Sequence, residues 1–518
     1  MKARNNMKIR YSFSGEYSEY NSLLRKFKLD KLLAYINMES AKLMKNNTRK
    51  SDDANIEYGM SYEKYFLFDN KNGMRKEQQV LVSGWNLIDL AYNAIKCTND
   101  YRGVEITQNT ELYLLVSATE AVREKKEGEF LDSIQGKSGP DFFLYLWGFA
   151  GEQFKIQSPA KALKTAAREL YILFDVRNKL ENALNIEDIV LEETGVSWVN
   201  VITSLYLAWF GSTVSPYVAD LIAEINWGAN LCENDFKKVI ERYTSTYQEI
   251  RTSELGRQYL YTRPFIRTQY SGTISCNCFL NLFLYEHSIL WIVRDYFYKK
   301  ENRLFTSEFG RYFEEYFREL LMEYVPQTNY HKIPEENIPR ADWKIVLGKY
   351  RFLVEQKSTI LGLLAKQQES SINTIRQFAE RNIIKALEQL KSTEDGLNDG
   401  QYIKIVLLYE DYLKAEALSE IFKMDECQVQ DDNHYWLVTI EEMEMLLHTY
   451  KYNQQIFWEI IKDKITREIE KSNKGRSLLQ LLNEHGISYN QHLLHSKYRK
   501  YETLAQNNAL QHLANNCF

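Results

Sequence analysis

Residues 339–358, PRADWKIVLGKYRFLVEQKS, hold two short runs of β character, Trp343-Lys-Ile-Val-Leu347 and Tyr350-Arg-Phe-Leu-Val354. Between them stands Gly348-Lys349, a pair suited to a tight turn, so the stretch predicts a β-hairpin. Asp342 opens the first strand, while Glu355 and Lys357 close the second. Side chains two apart in a strand share a face, so Glu355 and Lys357 point the same way. Folding the strands back on one another then sets Asp342 beside Glu355, which gathers two carboxylates and an ammonium.

Two adjacent carboxylates repel unless a cation lies between them. Their oxygens are also what Mg²⁺ or Mn²⁺ asks of a protein, since such ions keep several waters and take further ligands from phosphate. A bound ion polarises a phosphate and acidifies a water, and Lys357 beside that water would help orient or deprotonate it. The catalytic trio expected is therefore Asp342, Glu355 and Lys357, with Asp342 and Glu355 as metal ligands. The competing reading is a surface hairpin whose charges form a solvated ion pair worth under ~1 kcal/mol. Against it, Glu355 ends the apolar run Phe352-Leu-Val354 and so emerges from a buried strand.

Pro339-Arg340-Ala341-Asp342 followed by Glu355-Gln356-Lys357 resembles the signature of the PD-(D/E)XK, or restriction-endonuclease-like, nuclease superfamily. The resemblance covers about residues 300–425, and it implies an α/β core with a mixed sheet flanked by helices. It also implies a further acidic ligand from the preceding helix, which Gly310-Arg-Tyr-Phe-Glu314-Glu315-Tyr-Phe-Arg-Glu-Leu-Leu321 matches, with Glu314 as the preferred residue. Gln389-Leu390 is similar to the glutamine-leucine pair of RecB-like members; the tyrosine those members carry four residues on is Thr393 here. Gln389, Gln356 and Ser358 are accordingly expected as supporting residues. Ser358 either contacts phosphate or closes the strand as a turn residue. The activity implied is hydrolysis of nucleic-acid phosphodiester bonds with Mg²⁺ or Mn²⁺, DNA favoured over RNA. A bacterial restriction or phage-defence effector is the biological setting, with an activating protein partner or a homo-oligomer. The alternative is a non-catalytic scaffold with a degenerate nuclease fold.

Working outward, the seven prolines divide the chain: none precedes Pro140, none follows Pro339, and Pro326, Pro334 and Pro339 crowd together. Proline ends helices, so the cluster marks a change from helical to strand-and-turn structure. Upstream, patterns such as Leu163, Ala166, Ala167, Leu170 and Phe174 recur at helical spacing from about Leu23 to Tyr298. Downstream of the hairpin a helix is predicted over Asn373–Lys391, then extended runs at Tyr402–Tyr409 and Tyr435–Ile440. In the tail, Phe457, Ile460, Ile461, Ile465 and Ile469 form one apolar helical face expected to pack on the α/β core. The architecture expected is a multidomain α plus α/β chain. It comprises a mainly α-helical region over 1–298 (one or two subdomains), a nuclease-like domain over 299–448 and a helical segment over 449–518.

At 518 residues, 44% hydrophobic and 26% charged, the chain is long enough for two to four domains. Its net charge of -5 supplies no global positive field for nucleic acid, so binding would need a local patch. Arg257, Arg263 and Arg267, interleaved with tyrosines in Gly256–Tyr270, offer such a patch or else a packed linker. Ser496-Lys-Tyr-Arg-Lys-Tyr501 poses the same choice. Six scattered cysteines and an N-terminus without an apolar signal core fit a reducing cytoplasm. The uncharged stretch Thr194–Ala219 reads as a buried core helix and Cys276-Asn-Cys278 as buried thiols. His492 and His495 stand three apart without a visible acidic partner, and neither a Walker A nor a GxGxxG motif occurs.

Overall fold

The computed structural model describes residues 16–46, 59–68, 75–134, 158–228, 230–300, 304–334, 340–359, 377, 379–409, 435–469 and 478–513. The chain is a mixed α/β protein in which helix predominates. The N-terminal part carries two sheets that the helical reading did not anticipate. One is an antiparallel ribbon of β1 (Met60–Phe68) and β2 (Arg75–Ser83). The other is a small sheet in which β4 (Phe265–Arg267) lies between β3 (Thr244–Thr246) and β5 (Thr273–Ser275).

Around these strands the expected helices form. The helix Pro159–Tyr171 starts with proline at its first turn, where the missing N–H costs nothing, and Ser158 caps it by accepting the Lys161 N–H. Ala162, Ala166, Ala167 and Leu170 lie on its buried side. The helix Trp198–Ser212 is uncharged and buried along most of its length, as expected of a core helix. No described helix is long and apolar enough to cross a membrane. Cys276 and Cys278 are fully buried, as expected.

The second half is organised by a five-stranded mixed sheet of order β10-β9-β8-β7-β6. Its strands are β6 (Tyr330–Lys332), β7 (Trp343–Leu347), β8 (Tyr350–Lys357), β9 (Ile403–Leu408) and β10 (Tyr435–Thr439). The β7–β8 hairpin pairs Trp343 with Val354 and Leu347 with Tyr350. Its turn has left-handed backbone at Gly348 (φ +56°) and not at Lys349, the glycine-first pattern of a type II′ turn that matches strand twist. β8, β9 and β10 run parallel, so the chain must cross over between β8 and β9. The crossover helix differs from the predicted Asn373–Lys391. Residues 373–376 and 378 lie outside the described residues, a π-helical turn occupies Ala379–Ile384, and the α-helix then runs over Lys385–Leu397. It stops at Asn398, whose left-handed conformation (φ +46°) is tolerated better by asparagine than by most residues.

The sheet is covered on two faces. The helix Leu304–Tyr324 packs Phe317 edge-on to Trp343 on one face, and Lys385–Leu397 covers the other. In the tail, the helix Gln454–Ile469 buries Phe457, Ile460 and Ile461, with Ile465 partly buried; the side chain of Ile469 lies outside the described residues. Trp458 of this helix lies against the hairpin turn. The last helix, Ser496–His512, packs instead on the N-terminal helices Pro159–Tyr171 and Trp198–Ser212. Most buried apolar residues join one cluster that includes Tyr20, Phe313, Val354 and Ala509, while Leu353, Ala386, Leu390 and Val406, on the crossover-helix side of the sheet, lie outside it.

Candidate active site

Asp342 stands one step beyond the β7 ladder. The register Trp343 to Val354, continued outward, would set Asp342 opposite Glu355. Its backbone N–H donates to the Val354 carbonyl (3.0 Å), and its Oδ2 accepts the Gln356 backbone N–H at 2.7 Å. Glu355 is 3% exposed. Lys357 donates to Glu355 Oε1 at 2.6 Å and to Gln389 Oε1 at 3.0 Å, which places Gln389 of the crossover helix on the same side of the sheet. Asp342, Glu355, Lys357 and Gln389 are thus gathered at one end of the hairpin.

The strand that holds Asp342 is itself held by the crossover helix. Gln389 donates to the Arg340 carbonyl at 3.2 Å, and the buried Ala341 N–H donates to Thr393 Oγ1 at 2.7 Å. Reading the sequence found Gln389 and noted Thr393 only as a departure from a motif. Its role as acceptor for a residue 52 positions away has no local signature.

Three other expected residues lie differently. Gln356 does not join the trio, because alternate residues of a strand face opposite sides. Its side chain accepts from Trp343 Nε1 (2.8 Å) and donates to the Phe313 carbonyl (3.2 Å), and only its backbone N–H serves Asp342. Ser358 follows the same alternation: a Cβ on Gly310 would lie 3.4 Å from its Oγ, so it sits against the helix Leu304–Tyr324. Glu314, the expected third ligand, pairs with Lys332 at 2.5 Å and bears on Asp342 electrostatically. Pro339 lies outside the described residues.

Proton affinities follow from this packing. Burial pushes Asp342 up to about 6, opposed by the Gln356 N–H, with Glu314 adding to the rise. Burial and then the Asp342 carboxylate push Glu355 up to about 8, with Lys357 opposing. Two carboxylates that share a site titrate as a pair, so these two values describe the pair jointly. One Glu355 oxygen, Oε2, is buried and has no hydrogen-bond partner. A hard divalent cation fits this donor set, since it accepts carboxylate oxygen and offsets the repulsion that drives both groups toward protonation.

Each of the basic residues proposed for nucleic-acid contact has a partner within the N-terminal part, with Arg263 and Arg267 themselves exposed. Arg257 forms an ion pair with Asp89 and Arg267 one with Glu241, while Arg263 reaches the Thr244 carbonyl at 3.4 Å. In the C-terminal stretch Tyr498 and Tyr501 are buried, Lys497 pairs with Glu323 and Lys500 with Asp175. The bonds described for Arg257, Arg263 and Arg267 go to residues of the N-terminal part, and none of them reaches the trio.

No protein-family model matches the chain, and no curated protein or solved structure matches it either.

Proposed function

We propose that the chain is a divalent-cation-dependent phosphodiesterase that cleaves nucleic acid. The observation that carries this reading is the unpartnered, buried Oε2 of Glu355 beside Asp342 and Lys357, a donor set that a divalent cation would complete. Asp342 and Glu355 would hold Mg²⁺ or Mn²⁺, which when bound supplies Lewis acidity and an acidified water. Lys357, kept on its station by Gln389, would hold or pass a proton and offset negative charge that develops on phosphate. Glu314 would adjust the charge on Asp342, and binds the cation itself only if it leaves Lys332.

DNA is the favoured substrate; RNA is the other, because nothing in the trio reads a 2′-hydroxyl. The helical N-terminal part would contribute target recognition or contact with an activating partner or second copy, and a cytoplasmic restriction or phage-defence role belongs to the same proposal. A non-catalytic docking protein is the second reading, and one observation favours it: Lys357 and Lys332 already pair with Glu355 and Glu314.

The deciding experiment incubates purified protein with plasmid, linear duplex, single-stranded DNA and RNA in Mg²⁺, Mn²⁺ or chelator, beside Lys357→Ala. A metal-dependent product that falls at least ~100-fold in the variant supports the nuclease. If no substrate is cut and cation affinity is indifferent to Asp342→Ala, the docking reading stands.

A further inference from the structure

A second cluster of donors lies where the C-terminal segment meets the helix Leu304–Tyr324. Glu323 comes from the last turn of that helix. His492 comes from the short 3₁₀ turn Gln491–Leu494, and His495 leads into the helix Ser496–His512. One donor atom from each of the three lies within 4.8 Å of the others. The acid that the histidine pair lacked in sequence is 169 residues away.

We propose that Glu323, His492 and His495 form a binding site for a zinc-type transition-metal ion, separate from the carboxylate pair at Asp342 and Glu355. Two imidazoles and one carboxylate are a ligand set suited to zinc and its neighbours and ill suited to Mg²⁺, which takes oxygen.

The surroundings support a metal-binding arrangement over a plain ion pair. Glu323 Oε1 meets His495 Nδ1 at 2.8 Å, and its other oxygen is held by Lys497 at 3.0 Å, so the carboxylate is fixed with Oε1 directed at the histidines. His492 is fully buried, and Tyr498 lies at its Nε2 (2.6 Å). A hydrogen bond on the far nitrogen is the outer contact that orients metal-bound imidazoles and settles their tautomer. At its other nitrogen, Nδ1, the Tyr324 hydroxyl lies at 2.6 Å. A zinc ion would lie among the three donors, with the Tyr324 hydroxyl or a water as fourth ligand. Glu323 and His495 are 22% and 31% exposed, so an ion can enter from solvent. A bound ion would tie the C-terminal segment to the helix that also carries Glu314.

The test uses the full chain stripped by chelator and titrated with Zn²⁺ against a chromogenic indicator, in excess Mg²⁺ to occupy the carboxylate pair. Co²⁺ replaces Zn²⁺ in a parallel titration, so that its visible bands report nitrogen ligation. One equivalent of Zn²⁺ per chain is expected. His495→Ala and Glu323→Gln should each weaken it more than about 100-fold, beyond the roughly 10- to 100-fold expected of Tyr498→Phe, which removes only an outer contact. Glu323→Gln retains a hydrogen-bonding group toward His495, and metal-free circular dichroism identical to wild type shows that the fold survives. Failure to retain Zn²⁺ in Mg²⁺, or an affinity within about threefold of wild type in both variants, overturns the assignment.

Discussion

Replacing Glu355 with glutamine keeps the shape of the side chain and removes a buried charge, and the structure fixes how its effect on stability should vary with pH. In cation-free protein, burial and the Asp342 carboxylate raise Glu355 from its ordinary 4.5 to about 8. A carboxyl whose folded pKa exceeds its unfolded value binds more protons in the folded state. Stability therefore falls as pH rises from about 4.5 to about 8, and this group adds no slope outside that window. At about 1.4 kcal/mol per pKa unit, the fall is at most about 5 kcal/mol. Asp342, raised from 3.8 to about 6, steepens the lower part of the window. Because the two share protons, roughly 2–4 kcal/mol is the drop expected to depend on Glu355.

The assay is denaturant unfolding of wild type and Glu355→Gln in chelator at several pH values from 5 to 9. Glu169 and Glu444 are also buried and raised, so the quantity to read is the difference between the two proteins. Relative to wild type, the variant should gain stability as pH rises. Millimolar Mg²⁺ should then restore wild type and leave the variant unmoved, because a cation stabilises only the state that binds it. Parallel pH profiles for the two proteins, or a wild type that gains on the variant with rising pH, would refute the reasoning.

Thr393→Val leaves the buried Ala341 N–H without its acceptor, so about 1–3 kcal/mol of stability should be lost, with weaker Mg²⁺ binding read by calorimetry. Gly348→Ala places a Cβ 3.0 Å from the Trp458 ring at a positive φ, and a loss of about 1–3 kcal/mol is expected by chemical denaturation. Among the described cysteines, exposed Cys232 should react first with a thiol reagent. Cys276 and Cys278, pushed up by burial to about 12 and about 11, should react only on unfolding, as mass spectrometry of partially labelled protein would show.

The hairpin was legible because its information is local: two apolar runs, a glycine-first turn and charged ends all lie within twenty residues. The parallel strands β9 and β10 were legible for a related reason, since buried strands read as continuous apolar runs. The β1–β2 ribbon was missed. Its Tyr62 and Phe66 are among the larger exposed apolar side chains, so outward positions did not look polar and the alternation was blurred. Strands of three residues, such as β4 and β6, fall below any periodic signal. Long-range pairings are illegible for a different reason: Thr393 with Ala341, Lys332 with Glu314 and Glu323 with His495 each depend on chain topology that no sequence window contains. Gln356, expected as a supporting residue, reaches Asp342 through its backbone N–H, while strand alternation turns its side chain toward Trp343 and the Phe313 carbonyl.

Two buried glutamates separate what holds the fold from what invites a ligand. Glu444 is completely buried, and both its oxygens are satisfied: Oε1 accepts from Tyr316 at 2.5 Å, while Oε2 meets Arg168 at 3.0 Å and also Asn490. It joins the N-terminal helix Pro159–Tyr171 to the helices Leu304–Tyr324 and Ile440–Tyr452, and removing one partner of such a pair typically costs about 3–5 kcal/mol. Glu355 is buried almost as deeply, yet one oxygen has no partner and a second carboxylate lies near it. Folding alone gives no reason to keep that arrangement, because glutamine or an apolar residue would fill the strand position without the charge. Local rules are commonly broken where a site must bind something, and the contrast between these two residues is why we place the chemistry at Glu355 and the architecture at Glu444.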